Sequence, residues 1–200
     1  MPDLAAALRA ALPTGVALGQ GSPQPLWPGE AVPGAVPARL AEFALGRSGA
    51  RAAMRALGLA PAAIPMNPDR SPLWPDGVTG SISHCAGSCF AIAGLRADFA
   101  GLGLDIEPMK QIEPDLWPVI LRAEEHGLEP LAVFVAKEAA YKAQYQITGQ
   151  LFDFQMLSVT FCDNSFTAAF QQAVGRFAEG DRLQGRLIRT AKHLAAICTI

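Results

Sequence analysis

Leu102-Gly103-Leu104-Asp105-Ile106-Glu107 alternates without a break: Leu102, Leu104 and Ile106 fall on one side of an extended chain, Gly103, Asp105 and Glu107 on the other. This period of two predicts a strand over residues 101–107, which Pro108 ends. One face carries two carboxylates with Cα atoms roughly 6.6 Å apart, and Gly103 beside them leaves room for a ligand. Two carboxylates so close repel each other. A hard divalent cation held by oxygen ligands and retained waters, such as Mg²⁺, is their natural partner, although a solvated strand face is the plainer reading.

Downstream, residues 130–147 read as a helix with Gly149 as its stop signal. At about 100° per residue, Leu131, Phe134, Val135, Glu138, Lys142 and Tyr145 fall within about 80° of one another, which sets Glu138 and Lys142 on the apolar stripe. An inward carboxylate must be protonated, paired or bound to a cation. Glu138 therefore forms an i,i+4 ion pair at the core edge or joins Asp105 and Glu107 as a third metal ligand. Upstream, Pro37 to Leu57 is a second helix, entered through Pro37 and stopped at Gly58. Leu40, Phe43, Ala44, Arg47, Arg51 and Met54 share one of its faces. Two guanidinium groups one turn apart then point the way the hydrophobes point. Either their stems are buried with solvated heads, or a bound polyanion relieves their repulsion.

Between these helices, Val78 to Leu95 breaks into short β-like runs split by Ala86-Gly87-Ser88, a hairpin or strand pair. Within Gly80-Ser81-Ile82-Ser83-His84 the two serines share a face and His84 closes the run, so a hydroxyl and an imidazole are placed to hydrogen-bond a phosphate; a structural strand-end histidine is the alternative. Arg70, in the rigid stretch Asn67 to Pro75, is a further phosphate candidate, and Trp74 packs. Further strands are expected near 156–162, 165–170, 183–189 and 193–200. Gly and Pro, 35 residues in all, concentrate before residue 38 and over 60–77, which read as irregular connections. The architecture is α+β: two subdomains, residues 1–98 and 99–200, with a boundary near 96–101 and a site in the cleft between them.

Composition removes several classes. Sixteen Lys and Arg against 18 Asp and Glu give a net charge of −2, without the basic footprint of a nucleic-acid binder. No apolar run reaches membrane-span length, and no basic region precedes the first alanines, so neither membrane nor leader is expected and the cytoplasm is. Cys85, Cys89, Cys162 and Cys198 lack zinc-module spacing and read as buried free thiols. There is no G-x-S-x-G elbow, P-loop or G-x-G-x-x-G fingerprint.

In order and spacing, Gly80-Ser81-Ile82-Ser83-His84, Leu102 to Glu107 and Phe134-Val-Ala-Lys-Glu-Ala-Ala-Tyr-Lys142 resemble the three signature blocks of the phosphopantetheinyl transferase superfamily. Glu42 to Arg51 and Arg70 to Pro75 are similar to its branch that includes enterobactin synthetase component D and the surfactin-type enzymes. The likeness covers roughly residues 39 to 160. It departs at Val135, where a small polar residue is common. The resemblance implies a monomer of two similar α/β subdomains related by a pseudo-two-fold, with coenzyme A between them. Its phosphopantetheinyl arm would pass to a serine of an apo acyl or peptidyl carrier protein, releasing adenosine 3′,5′-bisphosphate. Carried over residue by residue, Asp105, Glu107 and Glu138 match the Mg²⁺ ligands, and Ser83 and His84 match contacts to the 3′-phosphate end. Arg51 matches a basic residue on the nucleotide, Lys142 the lysine on the diphosphate, and Arg47 and Arg70 are further nucleotide contacts. Asp105, Glu138 and Lys142 form the catalytic set, with Glu138 as base. Two other readings stand beside it: a non-catalytic coenzyme A or nucleotide-binding protein, and a Mg²⁺-dependent phosphoanhydride hydrolase, which has the same metal logic with water as nucleophile. The apolar and acidic stretch 109–129, with Leu116, Trp117 and Leu121, is the expected carrier-docking surface.

Overall fold

The computed structural model describes residues 3–85 and 88–200 of the 200-residue chain. Ala86 and Gly87, where the hairpin turn is expected, and Met1 and Pro2 lie outside the described residues. The elements run α1 (Leu4–Ala11), β1 (Val16–Gln20), α2 (Pro37–Ala56), β2 (Val78–Cys85), β3 (Ser88–Leu95), β4 (Leu102–Pro108), α3 (Trp117–Ile120), α4 (Pro130–Thr148), β5 (Leu157–Cys162), β6 (Ser165–Phe170), β7 (Arg182–Arg189) and β8 (His193–Thr199). Both long helices start on a proline, whose missing N–H costs nothing at a helix entrance. Gly149 ends α4 at φ 63°, a left-handed conformation suited to glycine, with its N–H donating to the Tyr145 carbonyl.

The strands form two antiparallel sheets, β1-β3-β2 and β4-β8-β7-β6-β5, so the fold is α+β as expected. Helix α2 lies on the first sheet and α4 on the second, each at very short range. A Cβ on Gly19 of β1 would collide with the Gly49 carbonyl of α2. One on Gly103 of β4 would collide with the Ala139 carbonyl of α4. Gly103 therefore makes room for a helix backbone, which overturns the expectation that it makes room for a ligand.

One expectation fails at the amino end: the stretch before residue 38 is not all irregular. Helix α1 and strand β1 are present, and β1 pairs with β3 in register Val16↔Gly94 to Gln20↔Phe90. Leu4 and Leu8 of α1 join Leu18, Ile92, Leu104, Ile106 and Ile197 in a buried cluster drawn from both sheets. On the other side of the seam the sheets touch through edge strands. β2 and β4 lie side by side, with the Leu104 N–H donating to Ser81 Oγ (3.0 Å) and the Ile106 N–H to Ser83 Oγ (3.1 Å). Among the described residues, no helix is long and apolar enough to cross a membrane.

Candidate functional site

Helix α4 decides which side chains reach the cleft. Its buried arc is built from small residues, Ala132, Ala136, Ala139, Ala140 and Ala143 with Leu131 and Val135, packed on β4 and its neighbours. Phe134, Glu138, Tyr141, Lys142 and Tyr145 are only partly buried. Of the stripe expected to face the core, Leu131 and Val135 do so, whereas Phe134, Glu138, Lys142 and Tyr145 lie on the helix's more open face, because weighting large hydrophobes overlooks a core made by alanine. Glu138 and Lys142 are consequently at a surface where ligands can reach them.

Glu138 lines a small cavity of about 120 Å³ with Phe152 and Phe154, while Tyr141, Lys142 and Tyr145 of that face form one wall of a cleft of about 510 Å³. Residues 67–74 form the opposite wall, and Gly80, Ser81 and Ile82 of β2 the floor. Arg70, Arg96 and Lys142 line it. Arg70 is held at φ 71° in a tight turn, where its N–H donates to the Asn67 carbonyl and the Asn67 N–H to the Ser71 carbonyl. A non-glycine residue in that region carries strain. Tyr145 Oη donates to Asp69 Oδ2 (2.7 Å), tying that wall to α4, and this bond raises the Tyr145 phenol to about 12. Trp74 packs, as expected, over Gly80.

Lys142, which lines the cleft, donates from Nζ to Asp105 Oδ1 (2.7 Å) and to the Leu104 carbonyl (3.1 Å). Asp105 is 5 % exposed, and its Oδ2 is buried without a hydrogen-bond partner. An unsatisfied buried carboxylate oxygen is costly, and a bound cation would satisfy it. Burial holds the Glu138 carboxyl above its ordinary range. Lys142 opposes this, and the Asp105 and Glu107 carboxylates reinforce it. Glu138 thus lies in the field of the Asp105 and Glu107 carboxylates, a condition that a divalent cation relieves. The expected metal trio is not gathered in advance, however. Among the described residues, no three His, Cys, Asp or Glu side chains are close enough to hold an ion. Asp105 leans on Lys142, and Glu107 lies 3.4 Å from Lys110 Nζ.

The remaining candidates separate. His84 is half exposed, its Nε2 3.7 Å from Glu42 Oε2. Ser83 is 6 % exposed with its hydroxyl engaged by β4. Arg47 is buried over the Phe43 ring, its Nε without a partner. Burial lowers its guanidinium to about 10, while Glu30 partly opposes the fall. Arg51 is a correction. Its side chain is fully buried, pairs with Glu30 and lies over the Trp27 ring, so the anion that balances it is internal and it is not free to meet a nucleotide.

Four residues that line the cleft or make buried polar contacts escape the sequence reading: Glu30, Arg96, Gln146 and Lys137. Glu30 is the only charged residue between Arg9 and Arg39, a signal that was available. Gln146 lies one turn beyond Lys142 and ties β2 to β4. Its side-chain carbonyl accepts from Thr79 Oγ1, and its amide donates to the Leu102 carbonyl. Lys137 is buried away from the cleft, paired with Glu125 at 2.6 Å, and fixes the loop before α4.

Comparison with known proteins places these features in a family. Residues 28–94 match the 4′-phosphopantetheinyl transferase N-terminal domain, and residues 101–198 match the 4′-phosphopantetheinyl transferase superfamily. The chain is 40 % identical over 178 residues to the 4′-phosphopantetheinyl transferase Svp of Streptomyces mobaraensis, covering 80 % of this chain and 71 % of that one. It is 32 % identical over 163 residues to the 4′-phosphopantetheinyl transferase PptT of Mycobacterium tuberculosis, covering 76 % and 71 %. Enterobactin synthase component D of Salmonella typhimurium is 37 % identical over 118 residues, covering 52 % and 48 %.

Proposed function

The chain belongs to the 4′-phosphopantetheinyl transferase superfamily and is an enzyme of that kind, and from that premise we propose that it moves the phosphopantetheinyl arm of coenzyme A onto a serine of an acyl or peptidyl carrier protein. Adenosine 3′,5′-bisphosphate is the other product. The observation that carries this reading is the Asp105–Lys142 pair at the cleft, a cation and a carboxylate with one lone oxygen, beside Glu138.

Transfer to a serine at phosphorus asks for positioning and charge neutralisation more than covalent help. Lys142 and Arg70, from opposite walls, neutralise the diphosphate. His84 and Arg47 serve the nucleotide end, and Arg51 is left out because Glu30 holds it. Asp105, Glu107 and Glu138 would hold Mg²⁺, which supplies stabilisation of the charge that develops on the diphosphate oxygens. Glu138 is the base, and its raised carboxyl suits proton acceptance. It takes the hydroxyl proton of the carrier serine as that oxygen bonds to phosphorus and the bond from phosphorus to the departing bisphosphate breaks.

The halves 1–98 and 99–200 are read as a pseudo-two-fold pair. Supporting this, each sets a glycine of its leading strand, Gly19 or Gly103, under the backbone of its long helix, α2 or α4. In the stretch assigned to carrier docking, Leu116, Trp117 and Val119 are exposed, whereas Leu121 is 4 % exposed and belongs to the core. Leu121 is therefore withdrawn from the docking surface. The test is bisphosphate release followed with and without an apo carrier protein. Release only with carrier supports transfer. Release without it favours the hydrolase, and tight coenzyme A binding with no release favours the binding protein.

A further inference from the structure

Resting on the transferase reading, we infer that Gln155 is a positioning residue for the carrier protein: it holds the one-turn helix α3 so that Leu116, Trp117 and Val119 form a fixed apolar face on which the carrier seats beside Glu138. The inference starts from what a helix of four residues cannot do for itself. The Trp117 carbonyl of α3 accepts the Leu121 N–H, but the carbonyls that follow lie past the last turn and need donors from elsewhere. A helix this short does not persist unaided. The side-chain amide of Gln155 donates to the carbonyls of Pro118 (3.2 Å), Val119 (2.9 Å) and Leu121 (3.1 Å), its two protons shared among three acceptors. Lys137 Nζ donates to the carbonyl of Ile120 (2.8 Å). Gln155 is itself fixed, its N–H donating to Asp153 Oδ1 (2.9 Å) and its carbonyl accepting from the Arg122 guanidinium.

These two anchors set α3 and Glu138 in one frame. Lys137 precedes Glu138 on α4, and Gln155 follows Phe154, which lines the cavity beside Glu138 and packs on the Phe134 ring. Gln155 lines neither that cavity nor the cleft, so it acts through α3. Ile120 and Leu121 are buried against Val133, whereas Leu116, Trp117 and Val119 stay exposed. Three large apolar side chains within four residues, one of them an indole already held by the Ile112 carbonyl, suit a protein partner. Coenzyme A is not that partner, because the exposed carboxylates of Glu113 and Asp115 beside the face repel its phosphates. The carrier is the macromolecule whose serine the reaction brings to Glu138, and the face is assigned to it.

The test compares wild type, Gln155→Met, Trp117→Ser and the double variant. Steady-state kinetics vary the apo carrier at saturating coenzyme A and Mg²⁺, calorimetry gives coenzyme A affinity, and light scattering gives the mass of each chain in solution. Gln155→Met, which keeps the volume and removes the amide, raises KM for carrier by about tenfold and leaves kcat and coenzyme A affinity unchanged. Trp117→Ser raises KM for carrier by about 30-fold, and the double variant is no worse than Trp117→Ser, because Gln155 works through the face that Trp117 anchors. The inference is overturned if Gln155→Met leaves KM for carrier unchanged, or if it lowers kcat or coenzyme A affinity instead. It is also overturned if the two effects multiply in the double variant, which makes them independent, or if wild type is a dimer that Trp117→Ser dissociates, which makes the face a contact between copies of this chain. Should Gln155→Met not fold, Gln155→Asn, whose amide is one methylene too short to reach, is measured in its place under the same criteria. A wild-type chain that modifies no carrier contradicts the transferase reading itself, a result distinct from all of these.

Discussion

Lys142 Nζ stands 2.7 Å from Asp105 Oδ1, joining the one partly exposed lysine of α4 to a buried aspartate of β4. A flexible ammonium on a half-open helix face can hold this aspartate and still turn toward a second anion in the cleft. Lys142→Ala is expected to lower kcat for carrier modification by about 100-fold, and, because it takes an ion-pair partner from the buried Asp105, to lower the melting temperature as well. Steady-state kinetics beside thermal unfolding check this, and a variant with near-normal kcat removes Lys142 from the reaction.

Arg51 and Glu30 make the opposite kind of pair, with both side chains fully buried and the guanidinium 2.5 Å from the carboxylate. Glu30 also accepts the Trp27 and Ile64 N–H groups, so it ties α2 to the loops on either side. Removing one member leaves a buried charge alone. Arg51→Met is expected to destabilise the fold by about 3 kcal/mol, with Glu30→Gln partly offsetting the loss when the two are combined. Urea unfolding of both single variants and the double variant measures this, and strictly additive effects would show that the pair is not coupled.

The strand and helix that carry Asp105 and Lys142 were legible because each has a clean period, two in Leu102 to Glu107 and 3.6 from Leu131 onward. The face of α4 was misread because Ala132, Ala136, Ala139 and Ala143, which form its buried arc, score weakly beside Phe134 and Tyr145. The Arg47 and Arg51 anomaly was visible, but not that Glu30, 21 residues before Arg51, answers half of it. β1 was missed because five residues within a Gly- and Pro-rich stretch give little pattern, and its partner β3 lies some seventy residues away. Long-range pairing decided those positions, and local sequence does not encode it.

Thiol chemistry should separate the four cysteines, which are not all buried as their sequence context implied. Burial pushes Cys198 up to about 12 and Cys89 up to about 11, the latter against a smaller opposing effect of Arg47. Cys85 is half buried and raised for the same reason, whereas Cys162 is exposed. With an aromatic disulfide reagent near pH 8, one thiol should react quickly, and Cys89 and Cys198 only after unfolding. Three fast thiols in the native protein would contradict this packing.

Both tyrosines of the chain lie on the open face of α4, and both phenols are raised. For Tyr145 the hydrogen bond to Asp69 is the main cause and the value is about 12. A folded-state pKa above the unfolded value means that the contact stabilises fully below about pH 10. That contribution is lost as pH rises toward 12. Phenolate absorbance should therefore show no normal tyrosine, and Asp69→Ala should return Tyr145 toward its ordinary range. An unchanged titration curve in that variant would show that the two walls of the cleft are not joined there.

The central claim is tested most directly by intact-mass analysis of an apo carrier protein incubated with this chain, coenzyme A and Mg²⁺, beside an EDTA control and Glu138→Gln. The account predicts a gain of one phosphopantetheinyl group, lost in EDTA and reduced at least about 100-fold in the variant, with coenzyme A still bound. An unmodified carrier across several unrelated carrier proteins, or full modification by Glu138→Gln, would contradict it.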